Sequence, residues 1–368
     1  MKKRIYLWGT GKLACQVMDE LLPYIESKYD IEGVIDNRAV DDSALFYGYQ
    51  VYSPGVLKEY KNEWIVILTW ACDEISRQIQ DEYSVSRENI KGKFFFYEEL
   101  VFARYQNTHD QEIQQVLGFI KKNGARFINY DFVHEYEQMQ VSVEFDDSCG
   151  MFYVIHNGKR MYMSKNFTDR EKVIDYYKGI CTEQDIRSPH RYLAESFCVE
   201  EGDIVVDAGV AEGNFALDII ERAKKIYLIE ADKDWIEALR MTFRDYGDKV
   251  IIVEKFLSSI DDGIYVSLDS IIDEHVDFIK MDIEGNEWEA IKGGKKILKN
   301  SGRMKMAVCV YHTDWDENLI RNELSGYGFD METTPGYLWF PYYASNRFVS
   351  TMLHRGVIRA KRGDADEN

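Results

Sequence analysis

The run Ile204-Val205-Val206-Asp207-Ala208-Gly209-Val210-Ala211-Glu212-Gly213-Asn214-Phe215 constrains this chain more than any other stretch. Apolar residues close on an acid, and the chain then opens into a turn with glycines at Gly209 and Gly213. A helical run follows through Leu217, Ile219 and Ile220. A strand, a Gly-rich turn and a helix form the unit that holds a nucleotide-like ligand at the edge of a parallel sheet. The next apolar run, Ile226-Tyr227-Leu228-Ile229, ends in Glu230, where a carboxylate can take two hydrogen bonds from a ribose diol.

The turn leaves the ligand open between a dinucleotide and S-adenosylmethionine. It lacks the Gly-x-Gly start that brings a backbone against a pyrophosphate. Glu212 suits a sulfonium cation better than phosphates, which favours S-adenosylmethionine.

Size and charge narrow the rest. A length of 368 residues, 45% of them hydrophobic, accommodates two or three domains with substantial cores. A formal charge of −19 repels phosphate backbones, so no nucleic-acid partner is expected. The six cysteines form no C-x-x-C pair, as expected of free thiols in a reducing compartment. Met1-Lys2-Lys3-Arg4 precedes too short an apolar stretch for a signal peptide, and no run has the length of a membrane span. The expectation is a soluble, cytoplasmic protein without a membrane span.

The hydrophobic pattern predicts an α/β chain with four regions. Residues 1–105 read as an N-terminal Rossmann-like domain, with strands over 5–8, 31–36, 64–69 and 94–96 and a first helix ending near Pro23. Residues 106–200 read as a linker or cap with a helix over 110–120 and a hairpin turning at Asn157-Gly158. Residues 201–362 predict strands at 204–208, 226–230, 250–253, 276–281 and 306–311, closed by a late pair near 328–331 and 347–354. A parallel sheet finishing in an antiparallel hairpin is typical of the S-adenosylmethionine-dependent methyltransferase fold. Residues 363–368 read as a disordered tail.

Two positions carry candidate chemistry. Asp282 falls where a central strand leaves the sheet, with Glu284 and Glu287 close behind and Gly285 turning the chain. Three acids beside one strand end need a cation, a proton or donors to compensate them. Glu284 and Glu287 also suit the start of a helix. The next strand ends in His312, so His312 and Asp282 are expected to face one cleft. His312 suits proton removal from a hydroxyl. Asp282, Glu284 and His312 are equally candidate ligands for Mg²⁺ or Mn²⁺.

The ordered stretches Val206-Asp207-Ala208-Gly209 through Gly213, Ser267-Leu268-Asp269-Ser270 and Asp277-Phe278-Ile279-Lys280-Met281-Asp282-Ile283-Glu284-Gly285 resemble the FkbM-type methyltransferases. The likeness runs from about Glu183 to Arg359, and Lys280-x-Asp282-x-Glu284-Gly285-x-Glu287 is its most distinctive part. Tyr311-His312 and Leu353-His354-Arg355-Gly356 resemble a subclass, in which Glu183-Gln184-Asp185 and Ser188-Pro189-His190-Arg191-Tyr192 would cover substrate or cofactor. The Gly-Val-Ala-Glu-Gly turn departs from the small or amide residue that many relatives carry before the second glycine. The resemblance implies a class I methyltransferase fold and methyl transfer from S-adenosylmethionine to an oxygen of a sugar or related small molecule. Asp207, Gly209 and Gly213 would hold the methionine end, Glu230 the ribose, and Asp282 would lie near the methyl group and acceptor. His312 is then the expected base, with His190 in reserve.

Gly9-x-Gly11-x-x-Ala14 with Asp36 predicts a second, N-terminal site for a nucleotide or nucleotide sugar. Two other functions fit parts of the pattern. One is a non-catalytic two-site binding or scaffold protein of a glycan or capsule pathway; the other is a dehydrogenase run by the first domain. The 25 tyrosines and 19 phenylalanines fit a carbohydrate groove or the interface of a homo-oligomer equally well.

Overall fold

The computed structural model describes residues 2–39, 43–60, 62–341 and 352–363. They fall into two compact units, one up to Arg126 and one from Phe127 onward.

The first unit is built on a six-stranded sheet. Its strands are β1 (Lys3–Trp8), β2 (Tyr29–Ile35), β3 (Leu45–Phe46), β4 (Tyr49–Tyr52), β5 (Trp64–Ile67) and β6 (Ile90–Lys91), in the order β3-β4-β2-β1-β5-β6. Only the β3–β4 pair is antiparallel. Ile35, Ile65, Ile67 and Ile79 are among the buried residues of its core.

Two expectations fail in this unit. The first helix runs through Pro23 to Lys28, because Leu13, Ala14, Val17, Met18, Leu21 and Ile25 bury one continuous face across the proline. That burial outweighs the roughly 3 kcal/mol an interior proline costs. Phe94–Phe96 form no strand: a helix occupies Phe95–Tyr105, and Ile90–Lys91 completes the sheet instead. The aromatic run is consumed by ring contacts, Phe95 with Trp64 and Phe96 with Tyr29, rather than by strand pairing.

The second unit opens with a meander of β7 (Val143–Asp146), β8 (Met151–His156) and β9 (Lys159–Tyr162). Asn157 and Gly158 both take positive φ, +48° and +79°, as the predicted two-residue turn requires. Tyr162 of this meander packs with Ala238 of the helix Lys233–Thr242, and its backbone N–H donates to Thr242 Oγ1.

The main sheet of this unit contains β10 (Ile204–Ala208), β11 (Lys225–Ile229), β12 (Val250–Val253), β15 (Phe278–Met281), β16 (Met304–Cys309), β17 (Asp330–Thr333) and β20 (Val357–Arg362). Short pairs β13 (Phe256–Leu257) with β14 (Tyr265–Val266), and β18 (Leu338–Trp339) with β19 (Leu353–His354), stand beside it. The order is β12-β11-β10-β15-β16-β20-β17, and β20 runs antiparallel between β16 and β17. This is the expected class I methyltransferase arrangement. β10 and β15 lie at the centre, and every residue of both is buried. Each large aliphatic side chain so covered contributes ~1.5–3 kcal/mol.

The late strand pair differs from expectation. β17 pairs with β20, whereas Leu353–His354 pairs with Leu338–Trp339. Residues 347–351 of the predicted strand, and 364–368 of the predicted tail, lie outside the described residues. Among the described residues no helix is long and apolar enough to cross a membrane. None of the six cysteines is paired.

Candidate active site

Parallel order places the ends of β10, β11, β15 and β16 along one edge, and the candidate residues collect there. Gly209 leaves β10 at φ +72°, and a Cβ on it would stand 1.7 Å from the Asp282 carbonyl oxygen. Only glycine lets the two central turns approach so closely. Gly213, at φ +88°, heads the helix Asn214–Ile219, and a Cβ there would meet the Phe243 ring at 2.8 Å. Both turns also hold a non-glycine residue in the left-handed region, Ala211 at φ +48° and Glu284 at φ +58°. Such strain concentrates at ligand-binding turns.

The edge is rich in carboxylates that the fold compensates individually. Asp207 is buried, and Lys280 Nζ lies 3.1 Å from its Oδ1 while donating to the Gly209 carbonyl. Burial pushes the Asp207 carboxyl up, and Lys280 opposes the shift. Glu230 at the end of β11 accepts backbone N–H bonds from Ala211 at 2.9 Å and from Ala231 and Asp232 at 2.8 Å. The carboxylate therefore fastens the Gly-rich turn as well as facing the edge. Glu212 is buried and accepts a 2.6 Å hydrogen bond from Tyr176, whose ring stacks on Trp235. Burial raises its carboxyl to about 7 despite that hydrogen bond.

Asp282 is the hub. Its Oδ2 accepts from the Tyr192 hydroxyl at 2.8 Å and lies 3.4 Å from His190 Nε2. Its Oδ1 accepts from the Tyr311 hydroxyl at 3.3 Å and lies 3.4 Å from His312 Nε2. Burial pushes this carboxyl up, but His190, His312 and Lys280 outweigh burial and hold it far below the usual carboxylate range. On its other side, His312 Nδ1 lies 3.2 Å from Oε1 of the fully buried Glu287. Burial disfavours the His312 cation, yet Glu287, Asp282 and Glu284 more than offset it and lift the imidazole to about 9.

His190 and Tyr192 reach Asp282 because their segment is fastened to the last strand. A Cβ on Gly356 would sit 2.0 Å from the Pro189 carbonyl oxygen. Thr334 Oγ1 donates to that same oxygen at 2.5 Å, and Arg359 donates to the Tyr192 and Arg191 carbonyls at 3.0 and 2.8 Å. Rings of Phe127 and Tyr311 flank His190, and Phe340 flanks Tyr311 and His312.

The structure thus brings together Asp207, Gly209, Gly213, Glu230, Asp282, His190 and His312. Glu284 stands apart, with its side chain 76% exposed and Oε2 3.8 Å from His312 Nε2. Donor atoms of Asp282, Glu287 and His312, and those of His190, Asp282 and Cys309, lie within 4.8 Å of one another, the spacing that a shared divalent ion would require. The sequence places Lys280, Tyr192, Tyr311 and Glu287 inside its motifs but shows none of their partners, and it gives no sign of Tyr176. Lys280 had a usable signal, a charged residue inside a central strand otherwise apolar.

The N-terminal candidates also share an edge, that of the first unit. Gly9 leaves β1 at φ +121°, Gly11 caps the helix Lys12–Lys28, and Ala14 is buried within it. Asp36 follows β2 and is fully engaged: Thr10 N and Oγ1 donate to Oδ2 at 3.0 and 2.7 Å, and Arg38 binds both oxygens. The Arg38 guanidinium holds the Asp36 carboxyl well below its ordinary range.

Residues 253–331 match the family described as Methyltransferase FkbM domain, and residues 1–91 match the family described as C2185-like, N-terminal. No curated protein matches the chain. Among solved structures, methyltransferase FkbM from Methylobacillus flagellatus KT is 16% identical over 97% of this chain and 90% of its own, with a TM-score of 0.46. A Streptococcus mutans protein described as a candidate methyltransferase, solved in complex with SAH, is 15% identical over 44% of this chain and 90% of its own, with a TM-score of 0.32. An rRNA methylase from Streptococcus thermophilus is 15% identical over 45% and 89%, with a TM-score of 0.30.

Proposed function

From an FkbM-type methyltransferase domain in the second unit, we propose that this protein transfers a methyl group from S-adenosylmethionine to a hydroxyl oxygen of a sugar, glycan or nucleotide-linked sugar. The observation that carries the reading is the edge itself: a turn that admits only glycine at Gly209, acids at Asp207, Glu212 and Glu230, and Asp282 wired to two histidines. The acids suit the sulfonium and ammonium charges of the donor. Glu230 takes the ribose, and Glu212 faces the positive end.

The acceptor would enter beside Asp282 and His312. A sugar hydroxyl is a weak nucleophile near neutral pH, so orientation and a base share the work. The oxygen attacks the methyl carbon in line with the departing sulfur. The hydroxyl proton passes to His312 Nε2 in its neutral form, the minor form until pH nears about 9, and S-adenosylhomocysteine with its neutral sulfur leaves. Asp282 stays ionised throughout and holds the resulting imidazolium. The first unit's edge is the proposed nucleotide or nucleotide-sugar site, where a ribose would have to compete with Arg38 and Thr10 for the Asp36 carboxylate.

Calorimetric titration with S-adenosylhomocysteine and then with NAD tests the assignment. Binding of the first at micromolar affinity or better, about −8 kcal/mol, is the expected result. No binding of the first would leave the scaffold reading, and binding of NAD with turnover in the absence of any methyl donor would leave the dehydrogenase.

A further inference from the structure

We propose that Tyr176 is a specificity-determining positioning residue: it aims the Glu212 carboxylate at the donor sulfonium, so that the site holds S-adenosylmethionine in preference to spent S-adenosylhomocysteine. The inference rests on the methyltransferase reading and deepens it. Glu212 stands inside the Gly209–Gly213 turn with its side chain buried. An acid buried in such a place is costly unless donors or a cation compensate it. The Tyr176 hydroxyl, 36 residues upstream, donates to Glu212 Oε2 at 2.6 Å.

Packing fixes the tyrosine. It lies on the helix Arg170–Glu183, between the buried Val173 and Ile180 at helical spacing, and shares their packed face. Its ring stacks on Trp235 at 5.6 Å between centroids and meets Phe167 at 5.1 Å. Trp235, on the helix Lys233–Thr242, packs in turn against buried Met151, Tyr162 and Ala238. A ring clamped in this way leaves its hydroxyl little freedom, and the charge-assisted bond then directs the carboxylate. On the backbone side, Ala211 at φ +48° donates its N–H to Glu230, which fixes the turn from which Glu212 projects.

Neighbouring charges leave this carboxylate in need of a cation. Glu183 repels it, and Lys280, which attracts it, is committed to Asp207 and the Gly209 carbonyl. The donor and its product differ at the sulfur: S-adenosylmethionine carries a sulfonium, S-adenosylhomocysteine a neutral thioether. Both keep the same ammonium, carboxylate, ribose and adenine. A carboxylate that served the ammonium would strengthen both equally, whereas one aimed at the sulfur favours the charged form. Loss of the methyl group then weakens the hold on the product and helps it leave.

The test is calorimetric titration of the full chain with S-adenosylmethionine and with S-adenosylhomocysteine, without acceptor, at about pH 8, where an acid titrating at about 7 is mainly ionised. Wild type should bind S-adenosylmethionine roughly fivefold tighter or more. Tyr176→Phe should cut that ratio by about threefold or more, with S-adenosylhomocysteine affinity kept within about twofold. Glu212→Gln should bring the ratio near unity, and adding Tyr176→Phe to it should change the ratio no further. If Tyr176→Phe does not fold, Trp235→Leu frees the ring while keeping the hydroxyl, and the ratio should again fall. Wild type binding both ligands equally overturns the proposal, as does an unchanged ratio in Tyr176→Phe or Trp235→Leu, or an equal loss of both affinities. Failure of wild type to bind either ligand would instead strike the methyltransferase reading.

Discussion

Tyr192 and Asp282, 90 residues apart in the chain, meet through a 2.8 Å hydrogen bond from the tyrosine hydroxyl to Oδ2. Tyr192 lies before the first strand of the main sheet and Asp282 after its fourth in sequence. The contact joins the 188–192 segment to the centre of the candidate edge. Tyr192→Phe removes a hydrogen bond to an ionised, buried acceptor, a loss of about 1.5–3 kcal/mol. Urea unfolding of the variant should show that loss. An unchanged midpoint would mean that His190 and Tyr311 satisfy Asp282 without Tyr192.

Gly209→Ala should be among the most damaging small substitutions in the chain. The methyl would fall on the Asp282 carbonyl in a backbone region hostile to side chains. The expected cost exceeds about 4 kcal/mol, visible as poor soluble yield or a large fall in Tm. Gly179→Ala is the control: its Cβ meets nothing, and helical alanine should stabilise by about 0.5–1 kcal/mol.

Glu230→Ala should weaken S-adenosylhomocysteine binding by about 1–3 kcal/mol. It should also lower Tm, since three backbone N–H groups lose their acceptor. Unchanged affinity in a folded variant would place the ribose elsewhere.

Glu212 links donor charge to pH. Its carboxyl titrates at about 7 in the free site. A sulfonium beside it favours the ionised form, so S-adenosylmethionine binding should release a proton below that pH and tighten as pH rises through it. The neutral sulfur of S-adenosylhomocysteine should show less of both. Calorimetry in two buffers of different ionisation enthalpy reads the proton directly, and Glu212→Gln should abolish the difference between the ligands.

His312 predicts an alkaline loss of stability. Its folded value, about 9, lies above the ordinary 6.5. The folded state therefore holds the proton more tightly, and the contribution is complete below 6.5 and lost as pH rises to about 9. Its upper limit is roughly 3 kcal/mol. Unfolding free energies measured across that window should fall in wild type and remain nearly flat for His312→Asn.

The main sheet was legible because parallel strands buried on both faces must be apolar runs, and 204–208 or 250–253 can be little else. The glycine turns were legible because few residues tolerate positive φ. Asp282 and His312 followed from position alone, since the end of a central strand is where such a sheet leaves space. Local pattern misled where contacts from elsewhere prevailed: Phe94–Phe96 read as a strand until the rings of Tyr29 and Trp64 claimed them, and Pro23 read as a helix end until a continuous buried face carried the helix past it.

Sequence alone thus determined the five parallel strands of the main sheet, the candidate edge where they end and the identity of its acids, because each depends on a residue and its immediate neighbours. Tertiary structure decided what those acids are paired with. Lys280 beside Asp207, Tyr192 and His190 on Asp282, and Glu287 behind His312 are contacts between turns brought together by sheet order and by the Gly356–Pro189 approach. Their charges and proton affinities follow from burial and distance, which no local stretch of sequence encodes.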